Sequence, residues 1–111
     1  MDHTIISLSE INEALLSNGT IFAMAESFKA LGDPTRLRIL ALLFEEERSV
    51  GDLADHLEVS QSAVSHQLRI LRALDMVRYR KVGREVFYAL ADEHVRDVLI
   101  RTLEHILHDR G

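Results

Sequence analysis

The chain has 111 residues, which suits a single domain with a modest core that dimerisation would stabilise. It lacks cysteine, so disulfides, thiolate metal ligands and thiol redox sensing are excluded. Its one proline and five glycines indicate no disordered linker, and no apolar run reaches the ~20 residues that span a membrane. The N-terminus has no signal-peptide pattern, so we expect a cytoplasmic protein without a membrane partner.

The net charge of −5 is distributed unevenly. Between Ser60 and Glu85 there are six basic and two acidic residues, which give that window +4 and leave −9 for the remainder. A locally basic surface is what phosphate binding requires, whatever the total charge. The acidic remainder would limit non-specific affinity for DNA.

Two helices are predicted at the start of the chain. Residues 9–17 form the first, and Asn18-Gly19 interrupts it. Thr20 is the predicted cap of the second, over residues 21–31.

A third helix is predicted from Pro34 to about Glu45. Asp33 at the N-cap followed by proline at the first helical position is typical of a helix start. The three consecutive glutamates at 45–47 are interpreted as a solvated helix end.

A helix-turn-helix is predicted next. Ser49 begins a short helix, with Asp52 three residues later as its capping-box partner. Residues 58–60 form a tight turn, and Ser60 caps a further helix over residues 61–74. Two short helices joined by about three residues are typical of this motif.

A hairpin and a helix complete the chain. Alternating segments at residues 76–82 and 85–90 flank a turn that contains Gly83, which predicts a β-hairpin. A last helix is predicted over residues 93–108. The predicted fold class is mainly α with a small β-hairpin. It is a single, homodimeric winged helix-turn-helix domain over residues 1–111, with N- and C-terminal dimerisation helices.

The second helix of the motif has one apolar and one polar side. Its polar side carries hydroxyl, amide, imidazole and guanidinium groups, which can bond to base edges and phosphates in the major groove. The candidate DNA-binding residues on this helix are Gln61, Ser62, Ser65, His66 and Arg69. An amphipathic helix with a solvated polar face explains this segment equally well by itself. The preceding helix and the following basic hairpin favour double-stranded DNA as the partner.

The hairpin concentrates positive charge around its tip, and Glu85 is the only acid that the sequence places beside it. Such a wing typically lies along the sugar-phosphate backbone or in the minor groove. The candidate phosphate-binding residues are Arg78, Arg80, Lys81 and Arg84. The alternative is an exposed hairpin whose charges only keep it soluble.

The last predicted helix carries four candidate metal ligands, Asp92, His94, His105 and His108. His94 and His105 are eleven residues apart, which places them within roughly 20° of one helix face but ~16 Å from each other. If two copies of the helix pack antiparallel in a two-fold dimer, the Asp92/His94 end of each meets the His105/His108 end of the other. Each cluster then has three nitrogens and one oxygen, a set suited to tetrahedral zinc.

Structural roles explain each of these four residues singly. Aspartate is common at helix N-caps, and histidine is favoured in the last turn, where it complements the helix dipole. Spacing alone therefore leaves a metal site and a purely structural helix as open alternatives.

The pattern does not indicate an enzyme or a small-molecule substrate. Ser65 and His66 are adjacent in a helix, so their side chains diverge by ~100° and cannot form a nucleophile–base pair. The chain has no glycine-rich phosphate loop. A zinc site closed by four protein ligands would leave no open position for hydrolysis.

The chain from about Phe22 to His108 resembles the ArsR/SmtB family of dimeric winged-helix metal-sensing repressors. The resemblance rests on LGDPTRLRIL at 31–40, VGDLA at 50–54, SQSAVSHQL at 60–68 and the YRK…GR hairpin. The closest likeness is to the zinc-responsive branch, which senses metal on its C-terminal helix through an Asp-x-His and a His-x-x-His. The residues that match this pattern are Asp92, His94, His105 and His108.

The resemblance implies a metal-free homodimer that binds an operator and represses transcription. Zn(II) bridging the two last helices would lower the DNA affinity and derepress a gene for metal efflux or sequestration. It also implies allosteric coupling through a hydrogen bond from His105 to the recognition-helix backbone at His66. The alternative is a winged-helix repressor with structural zinc and a different inducer.

One departure from the family limits the metals. Other members place a thiolate ligand where Ser49 stands, so a second, N-terminal site is not expected, with His3 as a stray candidate. Without thiolates, sensing of arsenic, cadmium and lead is excluded. The tetrahedral three-nitrogen, one-oxygen set favours Zn(II) or Co(II) over Ni(II), which prefers more ligands.

Overall fold

The computed structural model describes residues 6–110, with side chains through residue 108, so His3 lies outside the described residues. The described elements follow the order of a winged helix-turn-helix, which confirms the predicted fold class. They are α1 (Leu8–Leu16), α2 (Asn18–Leu31), α3 (Pro34–Glu45), β1 (Arg48–Ser49), α4 (Val50–Leu57), α5 (Gln61–Ala73), β2 (Val77–Val82), β3 (Glu85–Leu90) and α6 (Glu93–Arg110). None of the helices in this part of the chain is long and apolar enough to cross a bilayer.

Side-chain caps confirm the predicted starts of three helices. The Asp33 carboxylate accepts a hydrogen bond from the Arg36 backbone N–H at 3.0 Å, and Pro34 is the first residue of α3. The hydroxyls of Ser49 and Ser60 cap α4 and α5 in the same way. These short-range bonds satisfy N–H groups that have no partner within the helix.

The second helix begins earlier than predicted. Asn18 and Gly19 lie in the first turn of α2, and Thr20 is inside the helix rather than its cap. The break falls on Ser17 alone, whose backbone is extended between α1 and α2. First-turn N–H groups have no partner within a helix, so Asn and Gly are tolerated there.

The core lies between α3, α4, α5 and the sheet. Its largest fully buried side chains are Ile39, Leu40, Leu53, Val64, Leu68 and Leu71. Each buried aliphatic side chain of this size contributes about 1.5–3 kcal/mol, so the core fixes the helix-turn-helix against α3. By contrast, α1 has no buried residue, and α6 packs on the core through partly buried residues such as Val95 and Leu99.

The hairpin has a third strand that the sequence did not predict. The strand order is β1-β3-β2, with Arg48 of β1 opposite Tyr88 and Ser49 opposite Phe87. A two-residue strand is too short for an alternating pattern to reveal it. Because β1 directly precedes α4, it ties the base of the wing to the start of the helix-turn-helix.

Large apolar side chains are exposed on α1, α2 and α6. Examples are Leu16, Phe22, Phe28 and Val98, which are 43–82% exposed. The N-terminal part of α6 and one side of α2 also border an open apolar groove of about 530 Å³. These faces are where the predicted dimerisation helices lie, and dimerisation stays a prediction.

Candidate nucleic-acid interface and candidate metal ligands

Backbone geometry fixes the turn of the helix-turn-helix. Glu58 ends α4 in the left-handed region with φ of 56°, and the Val59 N–H donates to the Ala54 carbonyl at 3.1 Å. Ser60 then caps α5 through its hydroxyl. The turn thus holds α5 against α4, with buried leucines of both helices in one core.

The two sides of α5 are as predicted. Its buried residues are Val64, Leu68 and Leu71. The candidate DNA-binding residues lie away from that core: Gln61, Ser62, His66 and Arg69 are exposed, and Ser65 is half-buried. A helix that presents a row of hydrogen-bonding side chains can enter the major groove.

Arg36, for which the sequence predicted no role, links α5 to other helices of the chain. The Nε of Arg36 donates to the Ala30 carbonyl of α2 at 2.9 Å, and its Nη1 donates to Gln67 Oε1 of α5 at 3.0 Å. One guanidinium group therefore joins α2, α3 and α5. Arg36 and Gln67 are 31 residues apart, so no local pattern reveals the bond.

A second arginine ties α3 to α4. The Arg48 guanidinium donates to Glu45 at 2.6 Å, to Asp52 at 2.8 Å and to the Leu42 carbonyl at 3.0 Å. Hydrogen bonding to Asp52 raises the pKa of Arg48 above its usual value. Glu45 is therefore an ion-pair partner at the predicted solvated helix end, where its side chain remains 66% exposed.

The wing exposes its four candidate basic residues, three on β2 and one in the turn. The expectation that Glu85 is the only acid beside them is wrong. Glu47, which the prediction placed in a solvated helix end, accepts hydrogen bonds from the Arg80 Nε at 2.9 Å and from its Nη2 at 2.7 Å. The bond from Arg80 keeps the pKa of Glu47 below its usual range, so the carboxylate is charged at neutral pH.

A cation–π contact joins the recognition helix to the wing. The Arg72 guanidinium carbon lies 4.1 Å from the centroid of the Tyr79 ring, and Tyr79 packs on Tyr88 with a centroid separation of 5.8 Å. Tyr79 is on β2 and Tyr88 on β3. The helix and the wing therefore present one connected surface.

The four candidate metal ligands lie on α6 or immediately before it, and all four are exposed. Asp92 Oδ1 accepts a hydrogen bond from the Val95 N–H at 3.0 Å, and His94 Nδ1 lies 3.8 Å from the same oxygen. Because α6 is unbroken, His105 lies ~16 Å farther along its axis than His94. Among the described residues, no three histidine or acidic side chains come close enough to hold a metal ion. A single chain thus brings together no complete ligand set within its described part.

Comparison with known proteins identifies the family. Residues 33–79 match the family described as bacterial regulatory protein, arsR family. The chain is 44% identical over 108 residues to a transcriptional repressor SmtB homolog from Synechocystis, covering 95% of this chain and 82% of the relative. The chain belongs to the ArsR family of bacterial regulatory proteins. It is also 38% identical over 105 residues to a cadmium resistance transcriptional regulatory protein CadC homolog from Staphylococcus aureus, covering 92% of this chain and 87% of that relative.

A solved structure supports the same assignment. The homodimeric winged helix-turn-helix DNA-binding domain of a possible ArsR-family transcriptional regulator from Mycobacterium bovis is similar, with a TM-score of 0.74 and 29% identity. The match covers 81% of this chain and 87% of that structure. The predictions of a DNA-binding transcriptional regulator and against an enzyme are therefore confirmed.

Proposed function

We propose that this ArsR-family protein is a metal-responsive repressor whose homodimer binds operator DNA and loses affinity when Zn(II) binds across the dimer interface. The observation that carries the proposal is the division of four candidate ligands between two distant parts of one unbroken helix. A set that one chain cannot assemble fits a site shared by two chains.

The DNA-binding surface consists of α5 and the wing. On α5 we propose base and phosphate contacts by Gln61, Ser62, Ser65, His66 and Arg69. At the wing the proposed phosphate contacts come from Arg78, Lys81 and Arg84, all exposed. Arg80 differs from these residues because its guanidinium already pairs with Glu47.

A two-fold dimer through α6 is supported by the exposed apolar faces of α1, α2 and α6. Antiparallel packing of the two copies of α6 would bring Asp92 and His94 of one protomer to His105 and His108 of the other. The reciprocal cluster would form at the other end of the helix pair. Such a dimer would have two symmetric metal sites.

The donor set fits zinc. In a tetrahedral zinc site with ~2.0 Å bonds, two ligand atoms are ~3.3 Å apart. The Asp92 Oδ1 and His94 Nδ1 atoms are 3.8 Å apart, so a small side-chain adjustment is enough for both to bind one ion. Asp92 caps α6 through one oxygen, and a carboxylate retains further acceptor positions. Three nitrogens and one oxygen favour zinc or cobalt over nickel.

Zinc binding would select a dimer geometry in which the two recognition helices fit the operator less well. We propose that His105 couples to α5 at the backbone of His66. This is a coupling free energy between two sites, so operator DNA must weaken zinc binding by the same factor by which zinc weakens DNA binding. The regulated gene would be one for metal efflux or sequestration.

The first test measures the anisotropy of a labelled duplex from the region upstream of the chain's own gene. We expect tight binding in chelator and release on addition of stoichiometric zinc at fixed salt. His105→Ala should keep the affinity in chelator and lose the release. His56→Ala, a histidine of α4 outside the proposed site, is the matched control and should respond as the wild type does.

Mixed dimers test whether the site is shared. A dimer of one His94→Ala chain and one His105→Ala chain has one cluster with both ligands missing and one complete cluster. We expect this mixed dimer to bind one zinc ion tightly, whereas neither parent homodimer does. Failure of mixing to restore zinc binding would place the ligands within one chain.

The same zinc titration also tests the alternative function, a winged-helix repressor with structural zinc and a different inducer. If zinc binds the mixed dimer but leaves operator affinity unchanged, zinc is structural and the inducer is a different molecule. If the wild-type chain prefers its own upstream duplex no more than a scrambled one, the repressor proposal fails.

A further inference from the structure

Arg80 is unlike the other basic residues of the wing. Its guanidinium contacts both carboxylate oxygens of Glu47, with Nε 2.9 Å from Oε1 and 3.1 Å from Oε2, and with Nη2 2.7 Å from Oε1. Within the described residues, no ion pair involves Arg78, Lys81 or Arg84. The wing therefore has three cations that are available to phosphates and one that is already engaged.

The Glu47–Arg80 pair crosses the whole sheet. Arg80 of β2 is opposite Phe87 of β3, and Phe87 is opposite Ser49 of β1. Glu47 precedes Ser49 by two residues, so the extended chain directs the side chains of Glu47 and Ser49 to the same face of the sheet. Because Ser49, Phe87 and Arg80 are opposite one another in the sheet, Glu47 and Arg80 share that face. The Arg80 guanidinium lies 5.7 Å from the centroid of the Phe87 ring on that face. The side chain thus spans the middle strand to reach an acid beyond it.

We propose that Arg80 is a positioning residue, which fixes the wing to the segment between α3 and β1 through Glu47 and makes no phosphate contact itself. This inference rests on the proposed DNA binding. A bidentate pair has a defined orientation, because two hydrogen bonds fix the plane of the guanidinium relative to the carboxylate. The pair occupies the Nε–Nη2 edge of the guanidinium, so a bidentate phosphate contact through that edge would have to break it.

The wing is then held at two points. Glu47 holds it from the segment before β1, and Arg72 of α5 stacks on Tyr79 of β2. The two contacts use successive residues of one strand, Tyr79 and Arg80, which point to opposite faces of the sheet. Rotation of the hairpin relative to the recognition helix would disturb one contact or the other. The wing cations would therefore reach the DNA backbone at a fixed distance from α5.

The Glu47→Gln variant distinguishes a positioning role from phosphate binding by whether the affinity for DNA falls or rises. The change removes a negative charge and leaves every wing cation in place, so electrostatics alone would raise the affinity for DNA. Positioning predicts a lower affinity, by about two- to fivefold, the factor expected for an exposed ion pair. Arg80→Gln should cause a similar loss, and the double variant should lose no more than either single variant.

The salt dependence of binding supplies a second readout. Each phosphate contact contributes about 0.9 to the slope of log affinity against log salt concentration. Arg84→Gln, the matched control at the exposed tip, should reduce the slope by about that amount. Arg80→Gln should leave the slope unchanged. Glu47 and Arg80 side chains are 34% and 56% exposed, so these variants are expected to fold, which circular dichroism checks.

Two outcomes would overturn the inference. One is a Glu47→Gln variant that binds the upstream duplex as tightly as the wild type or more tightly. The other is an Arg80→Gln variant that reduces the salt slope as much as Arg84→Gln does. A failure of the repressor proposal remains distinguishable, because it appears as wild-type binding without preference for the upstream duplex over a scrambled one. The ranking of the variants by DNA affinity can be measured on either duplex.

Discussion

The region from α3 to β3 and the flanking helices α1, α2 and α6 are built differently. From α3 to β3 the chain buries its large aliphatic residues, and bonds between distant residues hold α5 and the wing. In α1, α2 and α6, large apolar side chains such as Phe22 and Val98 remain exposed. The first region completes its own contacts within one chain, whereas the second has faces suited to contact with another chain.

In the proposed dimer, this difference would assign the two tasks of a regulator to separate parts of the fold. A preformed DNA-binding unit needs little rearrangement to bind, so the DNA affinity of the dimer would depend on how its two units are spaced. The proposed dimerisation helices would determine that spacing. A ligand that acts on α6 would then change DNA affinity without touching α5 directly.

The largest effect is expected on the dimer dissociation constant, from a charge placed in the proposed α6 interface. Val98 lies on the same face of α6 as His94 and His105, and it is 43% exposed in one chain. Val98→Asp should weaken the dimer by at least about a hundredfold, because an unpaired charge would be buried between the helices. Sedimentation equilibrium measures the dimer dissociation constant.

Leu107→Asp is the control for this prediction. Leu107 lies ~180° around α6 from Val98 and is 58% exposed. The Leu107→Asp variant should leave the dimer intact. Equal weakening by both variants would contradict an interface centred on the histidine face.

A cavity in the core beneath α5 should have the next largest effect, a loss in the free energy of unfolding. Leu68 of α5 is 1% exposed, so Leu68→Ala should lower the free energy of unfolding by about 2–5 kcal/mol. Leu16→Ala, at an 82% exposed position of α1, should change it by less than about 0.5 kcal/mol. Urea unfolding at fixed protein concentration measures both, and similar losses would mean that α1 is as tightly packed as α5.

Helix caps offer a smaller test. The Ser60 hydroxyl caps α5, whereas Ser17 precedes α2 without any side-chain cap bond. Ser60→Ala should lower the free energy of unfolding by about 1 kcal/mol, and Ser17→Ala should have almost no effect. Thermal melting at matched concentrations distinguishes them, and a reversed order would be inconsistent with the described caps.

The smallest effect is a pH dependence at the wing. The pKa of Glu47 is lowered by its bond with Arg80, so folding favours the carboxylate. Its stabilising contribution is present above the usual glutamate pKa of about 4.3 and is lost as the pH falls through the lowered value. The stability difference between wild type and Glu47→Gln should therefore be constant from about pH 6 to 8 and disappear in acid. Glu46→Gln is the neighbouring control, and a difference that grew in acid would contradict the pairing.

Local patterns in the sequence were enough to predict the helix-turn-helix, the hairpin and the last helix. Caps such as Asp33 and Ser60 act over three residues, and apolar periodicity acts over one helix, so both can be read from the sequence. The third strand escaped prediction because it has only two residues.

The contacts that orient the proposed DNA-binding surface were not predictable in the same way. Glu47 and Arg80 are 33 residues apart, and their pairing depends on the strand order β1-β3-β2. Without that third strand, Glu47 has no visible partner. The spacing on α6 indicates that its candidate ligands cannot meet within one helix, and the shared site between two chains stays a prediction.

The pairing of Glu47 with Arg80 also limits how the wing can be exchanged between related proteins. A hairpin transplanted as residues 77–90 would leave its acidic partner behind in the donor protein. A chimera of that kind could keep its strand pairing and still present its tip to DNA at an altered angle. The smallest transferable unit is therefore discontinuous, and it includes the segment between α3 and β1 together with the hairpin.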